Sequence, residues 1–341
     1  MTSIYELSNV TQSYAGRTIL DIRNMKIVKG SILGITGPNG SGKSTLLRIL
    51  AFLEKPGTGK VFFKGKAVRE IGEDLRREAT LLLQESRLLK RSVFDNVAYG
   101  LRARGLVDHL RENVAQALSQ VGLDPGQFAG RAWFELSGGE AQRVALASRI
   151  VLKPKVLLLD EPTASIDIQS ARIIAKAILE ARENLDTTVI IVSHDLEWAY
   201  SASDEIISMH SGRIHSRGPE NILQGPWENC GENMVCRRLD DGQTVTVRQP
   251  SPSPSTETAL LDPEDIILSK AIPEHISARN TITGNVVRMN LENGKGSVLV
   301  TVLAGGQTFT SRITSDSLAR LNLVPGSPIA LLFKATAIRW V

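Results

Sequence analysis

The sequence predicts an α/β domain built on a buried parallel sheet with a helical insert, followed by a small all-β domain. Three observations carry this. KVLLLDEP (155–162) and TTVIIVSHD (187–195) are continuous apolar runs with polar ends, separated by helical spacing from Ile168 to Asn184, the pattern of strands covered on both faces. Beyond residue 262 apolar and polar residues instead alternate between turn signals. The chain has 341 residues, about two domains at roughly 100–200 residues each.

From Ile4 to Ile35 the text alternates (IYELSNV, TILDIRNMKIV, SILGIT) with Gly16 and Gly30 as punctuation, which predicts a meander of strands. A helix follows over Ser44–Phe52, then a short strand pair around VFFKGKAV. Residues 92–121 switch to helical spacing through Val93, Phe94, Val97 and Leu101, then Leu110, Val114, Leu118 and Val121, and stop at Gly122. Composition changes after Trp227, and PSPSPSTET at 250–258 favours an extended linker. NTITGNVVRMNLENGKGSVLVTVLAGGQTFTSRIT, with turn signals at Asn293-Gly294 and Gly305-Gly306, predicts a small barrel. The expected organisation is a first domain over 1–229 with its helical subdomain at about 85–150, a linker with a short β segment over 230–261, and an all-β domain over 262–341.

Forty Lys and Arg against 36 Asp and Glu leave a formal charge of +4, too even for a polybasic nucleic-acid binder, and 42% hydrophobic residues exclude disorder. No apolar run approaches the roughly 18 residues that cross a bilayer, and the first residues have no secretory pattern, so a chain that does not itself span a membrane is expected. Cys230 and Cys236 match neither a zinc nor a C-x-x-C spacing and read as reduced thiols.

GPNGSGKST (37–45) fills G-x-x-x-x-G-K-[ST] between the strand ILGIT and a helix. Chemistry explains each residue type. Gly37, Gly40 and Gly42, with Pro38, Asn39 and Ser41, let successive amides turn inward on a phosphate chain, and the following helix aims its positive end at the same anion. Lys43 reaches the terminal phosphates, the Ser44 hydroxyl is the expected Mg²⁺ ligand, and Thr45 extends the donors. VLLLDE places Asp160 where a carboxylate can hold Mg²⁺, and Glu161 beside it is the candidate general base; Pro162 ends the strand.

LSGGEAQRVALASRI (136–150) lies between these motifs; Ser137, Gly138 and Gly139 open a helix and offer a hydroxyl and unhindered amides to an anion. With Tyr14, Gln84 and His194 in order, residues 3–225 resemble ATP-binding cassette (ABC) transporter ATPases. The resemblance implies a P-loop ABC nucleotide-binding domain and a homodimer that sandwiches ATP between the cradle of one chain and Ser137-Gly138-Gly139 of the other. It implies that Tyr14 stacks on adenine, that Gln84 senses Mg²⁺ and the transport partner, that His194 holds the γ-phosphate and attacking water, and that Asp167 serves dimer communication. Glu140 stands where the family often has Gln, which puts a negative charge near the second subunit's nucleotide, and Ala164-Ser165-Ile166-Asp167 replaces Ser-Ala-Leu-Asp. With Glu161 and His194 both present, an active ATP hydrolase is expected. Residues 85–105 correspond to the groove that receives a helix of an integral membrane permease, although Phe94, Val97 and Tyr99 equally suit a local core.

SARNTITGNVV (277–287) and FKATAI (333–338) resemble the molybdate and tungstate binding Mop/TOBE domain, an OB-like barrel. This resemblance points to Ser277, Arg279, Asn280 and Lys334 as oxyanion ligands and implies an importer ATPase of the tungstate or molybdate type. Such a subunit sits on the cytoplasmic face of the cell membrane, with a periplasmic or extracellular oxyanion-binding protein and no nucleic acid as partner. Two alternatives stay open: an importer ATPase for another solute (sulfate, sugar, polyamine or iron) with the barrel as a platform, and a cassette ATPase outside transport.

Overall fold

The computed structural model describes residues 2–340 except 70, 86, 165, 196–197, 200–201, 218–220, 232, 250–257 and 293–295. The Pro-Ser stretch at 250–257, the Asn293-Gly294 turn and Ser165 therefore lie outside the described residues. The chain forms two units, Met1–Arg217 and Gly218–Val341.

In the first unit β1 (Ser3–Tyr14) and β2 (Arg17–Val28) form a long antiparallel hairpin, and β3 (Ile32–Thr36) leads to α1 (Lys43–Leu50). Then come β4 (Thr58–Phe63), β5 (Lys66–Ala67), α2 (Glu73–Glu78) and β6 (Ala79–Leu82). The helical insert holds α3 (Val93–Ala103), α4 (Leu110–Gln120), α5 (Pro125–Phe128) and α6 (Gly138–Ile150). The unit closes with β7 (Val156–Asp160), α7 (Ile168–Leu185), β8 (Thr188–Val192), β9 (Glu205–His210) and β10 (Arg213–Arg217).

One sheet runs β2-β1-β4-β5 and the other β10-β9-β3-β8-β7-β6, with β3, β6, β7, β8 and β9 parallel. The expected meander from Ile4 to Ile35 is thus corrected: β3 leaves the hairpin for the second sheet. All five of its residues are buried, so it needs cover on both faces, which only the central parallel position supplies.

Two cores flank that sheet, sorted by the two-residue period of its strands. Leu157, Leu159, Val189 and Ile191 face the helices of the insert and α7, where Val97, Leu118, Leu146 and Ile178 pack. Val156, Leu158, Ile190 and Val192 face the opposite core with Leu46, Leu50, Tyr5 and Phe63. Burying each such side chain contributes about 1.5–3 kcal/mol, which is why the strands read as unbroken apolar runs. In the insert, Ser92 caps α3 by accepting from the Asp95 amide at 3.1 Å, and Gly122 (φ +67°) closes α4.

The second unit contains β11 (Asn221–Gln224), β12 (Glu228–Gly231), β13 (Met234–Arg238), β14 (Thr244–Arg248), β15 (Thr258–Leu261), β16 (Ile267–Ser269), β17 (Asn280–Glu292), β18 (Ser297–Ala304), β19 (Gln307–Thr314), the short helix α8 (Ser315–Leu321), β20 (Pro328–Phe333) and β21 (Arg339–Trp340). Its sheets run β11-β15-β21, β12-β13-β14 and β16-β20-β17-β18-β19, all antiparallel, around one core that includes Val245, Ile282, Val300, Phe309 and Phe333. Gly305 and Gly306, at φ +50° and +76°, make the two-residue turn between β18 and β19. The edges β16 and β19 are not laddered together; the Ser311 hydroxyl instead donates to the Ile266 carbonyl at 2.7 Å.

The expected organisation ends the first domain at 229 and places a linker with a short β segment over 230–261. That boundary moves to Arg217, because β11 (Asn221–Gln224) pairs with β15 and β15 with β21 inside the second unit. A change of composition marks where the chain becomes polar, not where it stops packing.

Candidate functional site

The C-terminal ends of β3, β8, β7 and β6, adjacent in that order, deliver four of the chemistry-bearing segments of the first unit to one edge. From β3 comes the Gly37–Thr45 loop, from β8 comes His194, from β7 come Asp160 and Glu161, and Gln84 follows β6. A cavity of about 300 Å³ at this edge is lined by Lys43, Ser44, Thr45, Gln84, Asp160 and Glu161, together with Asn39 to Gly42. Parallel sheets collect ligands at this edge because strand ends and helix N-termini meet there.

Two glycines in the loop are required. A Cβ on Gly37 (φ +140°) would lie 2.0 Å from the Met209 carbonyl oxygen, and one on Gly42 (φ +95°) 2.6 Å from that of Ile19. The loop is therefore wedged between β9 and β2. Within it, the buried Ser41 hydroxyl has no partner, an orphaned group that an anion's oxygen satisfies.

Lys43 folds back and donates to the carbonyls of Gly37 at 2.8 Å and Pro38 at 2.9 Å. Burial pulls its ammonium below the ordinary lysine pKa, opposed by the carboxylates of Glu161 and Asp160. Asp160 shifts the other way: burial raises its pKa, and a hydrogen bond from Ser44 works against that rise. Both charges thus sit where neither is well solvated. Among the described residues no three His, Cys, Asp or Glu side chains cluster as a complete metal site. A cation here would take the Asp160 and Ser44 oxygens plus oxygens of a bound phosphate, the sparse protein coordination that suits Mg²⁺.

Glu161 occupies the left-handed region at φ +50°, its amide donating to the Val192 carbonyl at 2.9 Å. A non-glycine residue there is costly, by about 1–3 kcal/mol, and such strain clusters at functional positions. The turn points the carboxylate at His194: Oε2 lies 2.7 Å from Nδ1 and accepts from the His194 amide at 3.2 Å. Glu161 is buried, while the His194 side chain is 67% exposed and free to meet a ligand.

Tyr14 does not line the cavity; it ends β1, partly exposed, with its hydroxyl donating to Glu54. Arg17 and Ile19 do line it, and sequence reasoning missed both. They arrive by the β1–β2 hairpin, where Arg17 pairs with Tyr14, and no local string announces that approach.

The Ser137–Glu140 segment also lies outside the cavity lining. Ser137 caps α6, its hydroxyl accepting from the Glu140 amide at 3.3 Å while Glu140 Oε2 accepts from the Ser137 amide at 2.8 Å. The Ser137 amide, and Arg131 at 3.8 Å, hold the Glu140 carboxyl below the usual range. The Glu140 carboxylate thus stays ionised while it caps its own helix. Gly138 faces open space, but a Cβ on Gly139 would meet the Ser170 hydroxyl at 2.7 Å and Asp167 Oδ2 at 3.2 Å. Asp167 caps α7, accepting from the Ser170 amide at 2.8 Å and hydroxyl at 2.7 Å.

In the 85–105 groove region Val97 is wholly buried and belongs to the core, Phe94 packs against that core under Arg102, and Tyr99 is 51% exposed beside a cavity with Leu88, Leu89 and Arg149. No helix among the described residues is long and apolar enough to cross a membrane.

In the second unit Ser277, Arg279 and Lys334 are exposed, whereas Asn280 is 1% exposed and committed. Its Oδ1 accepts from the Thr246 amide at 2.6 Å and its Nδ2 donates to the Thr246 carbonyl at 2.9 Å. Asn280, expected as an oxyanion ligand, here forms a peptide-like brace between β17 and β14. Cys230 and Cys236, on the paired strands β12 and β13, share a hydrogen bond that adds to burial in raising the Cys236 pKa.

The chain matches the ABC transporter family over residues 20–164 and the TOBE domain family over residues 276–339. It is 38% identical over 209 residues to the tungstate uptake system ATP-binding protein TupC of Peptoclostridium acidaminophilum, covering 61% of this chain and 95% of that protein. It is 39% identical over 226 residues to the spermidine/putrescine import ATP-binding protein PotA of Mesoplasma florum, covering 66% of this chain and 64% of that protein. Among solved structures, the dimeric post-hydrolysis state of the ATP-binding cassette MJ0796 bound to ADP and Pi superposes with a TM-score of 0.58 at 28% identity, over 63% of this chain and 97% of that one. A phosphate cradle facing paired acids at one strand edge, within a chain so related, has one reading: it belongs to the ABC transporter ATP-binding proteins, as an ATPase with a C-terminal TOBE domain.

Proposed function

We propose that the chain is the ATP-hydrolysing subunit of an importer for tungstate or molybdate, working as a homodimer docked on an integral membrane permease at the cytoplasmic face. A periplasmic or extracellular oxyanion-binding protein delivers the cargo. The observation that carries the catalytic reading is the meeting of Lys43, Ser44, Asp160, Glu161 and His194 at one sheet edge.

In this reading the triphosphate lies on the loop amides from Asn39 to Thr45, and Lys43 leaves the Gly37 and Pro38 carbonyls for the terminal phosphates. Ser44 and Asp160, with Gln84 on the same cavity wall, would hold Mg²⁺, which would supply charge neutralisation to the phosphates. Glu161 accepts the proton of the attacking water, and His194, fixed through Nδ1, presents its exposed ring to the γ-phosphate. Tyr14 stacks on adenine. Ser137, Gly138 and Gly139 of a second copy complete the site, with Asp167 holding the α7 cap against Gly139 so that closure is felt across the dimer.

The cargo assignment is supported by the similarity to TupC over nearly that protein's whole length, and by exposed Ser277, Arg279 and Lys334 within the TOBE match. The commitment of Asn280 and the similarity to PotA favour a second reading, a polyamine or other importer whose TOBE domain is a platform. Calorimetric titration of the full chain distinguishes them. Heat with tungstate or molybdate where sulfate gives none, lost in Arg279→Ala, is expected; heat with spermidine alone, or with none of these, moves the cargo to the second reading.

A further inference from the structure

Tyr14 closes β1 just before Ala15 and Gly16, which both have positive φ, and it is 39% exposed. A partly exposed aromatic at a strand end has rotamer freedom that a stacking ligand must freeze. Here the ring is not free, because its hydroxyl donates to Glu54, beyond the end of α1. The same carboxylate accepts from Gln12 Nε2 at 2.9 Å and from Arg48 Nε at 3.2 Å. Arg48 Nη2 then reaches the Tyr14 oxygen at 3.5 Å and the Thr45 hydroxyl at 3.2 Å. Thr45 lies in the first turn of α1 and lines the phosphate cavity.

We infer that Glu54, acting with Arg48, is a positioning residue for the nucleobase: it locks the Tyr14 ring at a set angle to the helix turn that holds the phosphates. The inference rests on the reading of Tyr14 as the adenine platform. A carboxylate suits this place because one group must accept from a phenol, an amide and a guanidinium together, and only an ionised acid offers both oxygens as acceptors. The contact joins the base end of the site to the phosphate end through three side chains, so the ordering of Tyr14 is prepaid in folding and not charged to ATP binding.

Steady-state Mg-ATP kinetics and competition by inorganic tripolyphosphate on the full chain test this. Glu54→Ala is expected to raise KM for ATP about five- to tenfold with kcat within about twofold, because only binding of the base is disordered. Tyr14→Phe, which keeps the ring and removes the donor, is expected to match it, the double variant to be no worse than either, and Glu54→Gln to fall between. Tripolyphosphate, lacking a base, should compete equally well against all of them. If Tyr14→Ala raises KM while Glu54→Ala and Tyr14→Phe do not, the platform stands and the anchor is refuted. If Tyr14→Ala is also silent, the platform reading itself fails. Tripolyphosphate weakened as much as ATP would make Glu54 a general support of the loop and overturn the inference.

Discussion

The strand-edge cavity of the first unit and the core of the second bury polar groups for opposite ends. In the first, Lys43 and Asp160 are below a tenth exposed, each shifted by burial against its charged form, and Ser41 keeps an unpartnered hydroxyl beside them. In the second, Asn221, Asn280 and Ser311 are as deeply buried but satisfied: Asn221 Nδ2 donates to the Leu261 and Thr310 carbonyls at 3.1 and 2.9 Å, and Asn280 brackets Thr246. Neutral amides that imitate a peptide group tie strands together where no ladder can; charges left short of partners wait for a ligand. Burial alone does not identify a site. Burial without satisfaction, gathered with burial-shifted charges at one cavity, does.

The largest effect should come from the unsatisfied side. Glu161→Gln retains shape but cannot take a proton, so turnover is expected to fall by about 10²–10⁴-fold in a phosphate-release assay, with ATP still bound. An unchanged rate would remove Glu161 from the chemistry and leave its strained backbone unexplained. The satisfied side predicts a loss of a different kind. Asn280→Ala strands the amide and carbonyl of Thr246, at a cost of about 2–4 kcal/mol, while leaving ATP hydrolysis per folded molecule untouched. Hydrogen exchange at β14 and β17 reads this directly; wild-type protection in the variant would free Asn280 for ligand binding after all.

How much of this the sequence announced depends on the reach of each feature. The phosphate loop is legible because its residues are consecutive and their task is local, and the buried strands because apolar runs need no partner to be recognised. What stayed hidden depends on distant chain. Asn280 read as a ligand by resemblance to an oxyanion-binding domain, but its side chain is engaged by Thr246, 34 positions away. Arg17 and Ile19 line the cavity, and Glu54 meets Tyr14, only because the β1–β2 hairpin folds over the loop and α1 ends beside it. Ile4–Ile35 read as one meander because alternation and full burial differ little over the five residues of β3. Cys230 and Cys236 meet through hairpin register, which residue spacing does not encode.

The smallest expected effect separates the two kinds of burial most cleanly, because its sign is opposite to that of Asn280→Ala. Asp160 has a raised pKa in the folded chain, so the folded state holds that proton more tightly than the unfolded state does. Its contribution to stability is therefore fullest below the ordinary carboxylate pKa and is lost as pH rises through the folded value. At neutral pH the ionised, desolvated carboxylate is a cost. Asp160→Asn removes that cost and can still accept from Ser44, so in nucleotide-free, chelator-treated protein the first unit should melt roughly 2 °C higher than wild type. The gap should close as pH falls, since the wild-type acid then becomes neutral too. Mg²⁺ with a non-hydrolysed ATP analogue should reverse the order, stabilising wild type and leaving the variant nearly unmoved. A variant that melts lower than wild type at neutral pH, with or without nucleotide, would mean that Asp160 is a satisfied structural charge and that the contrast between the units does not hold.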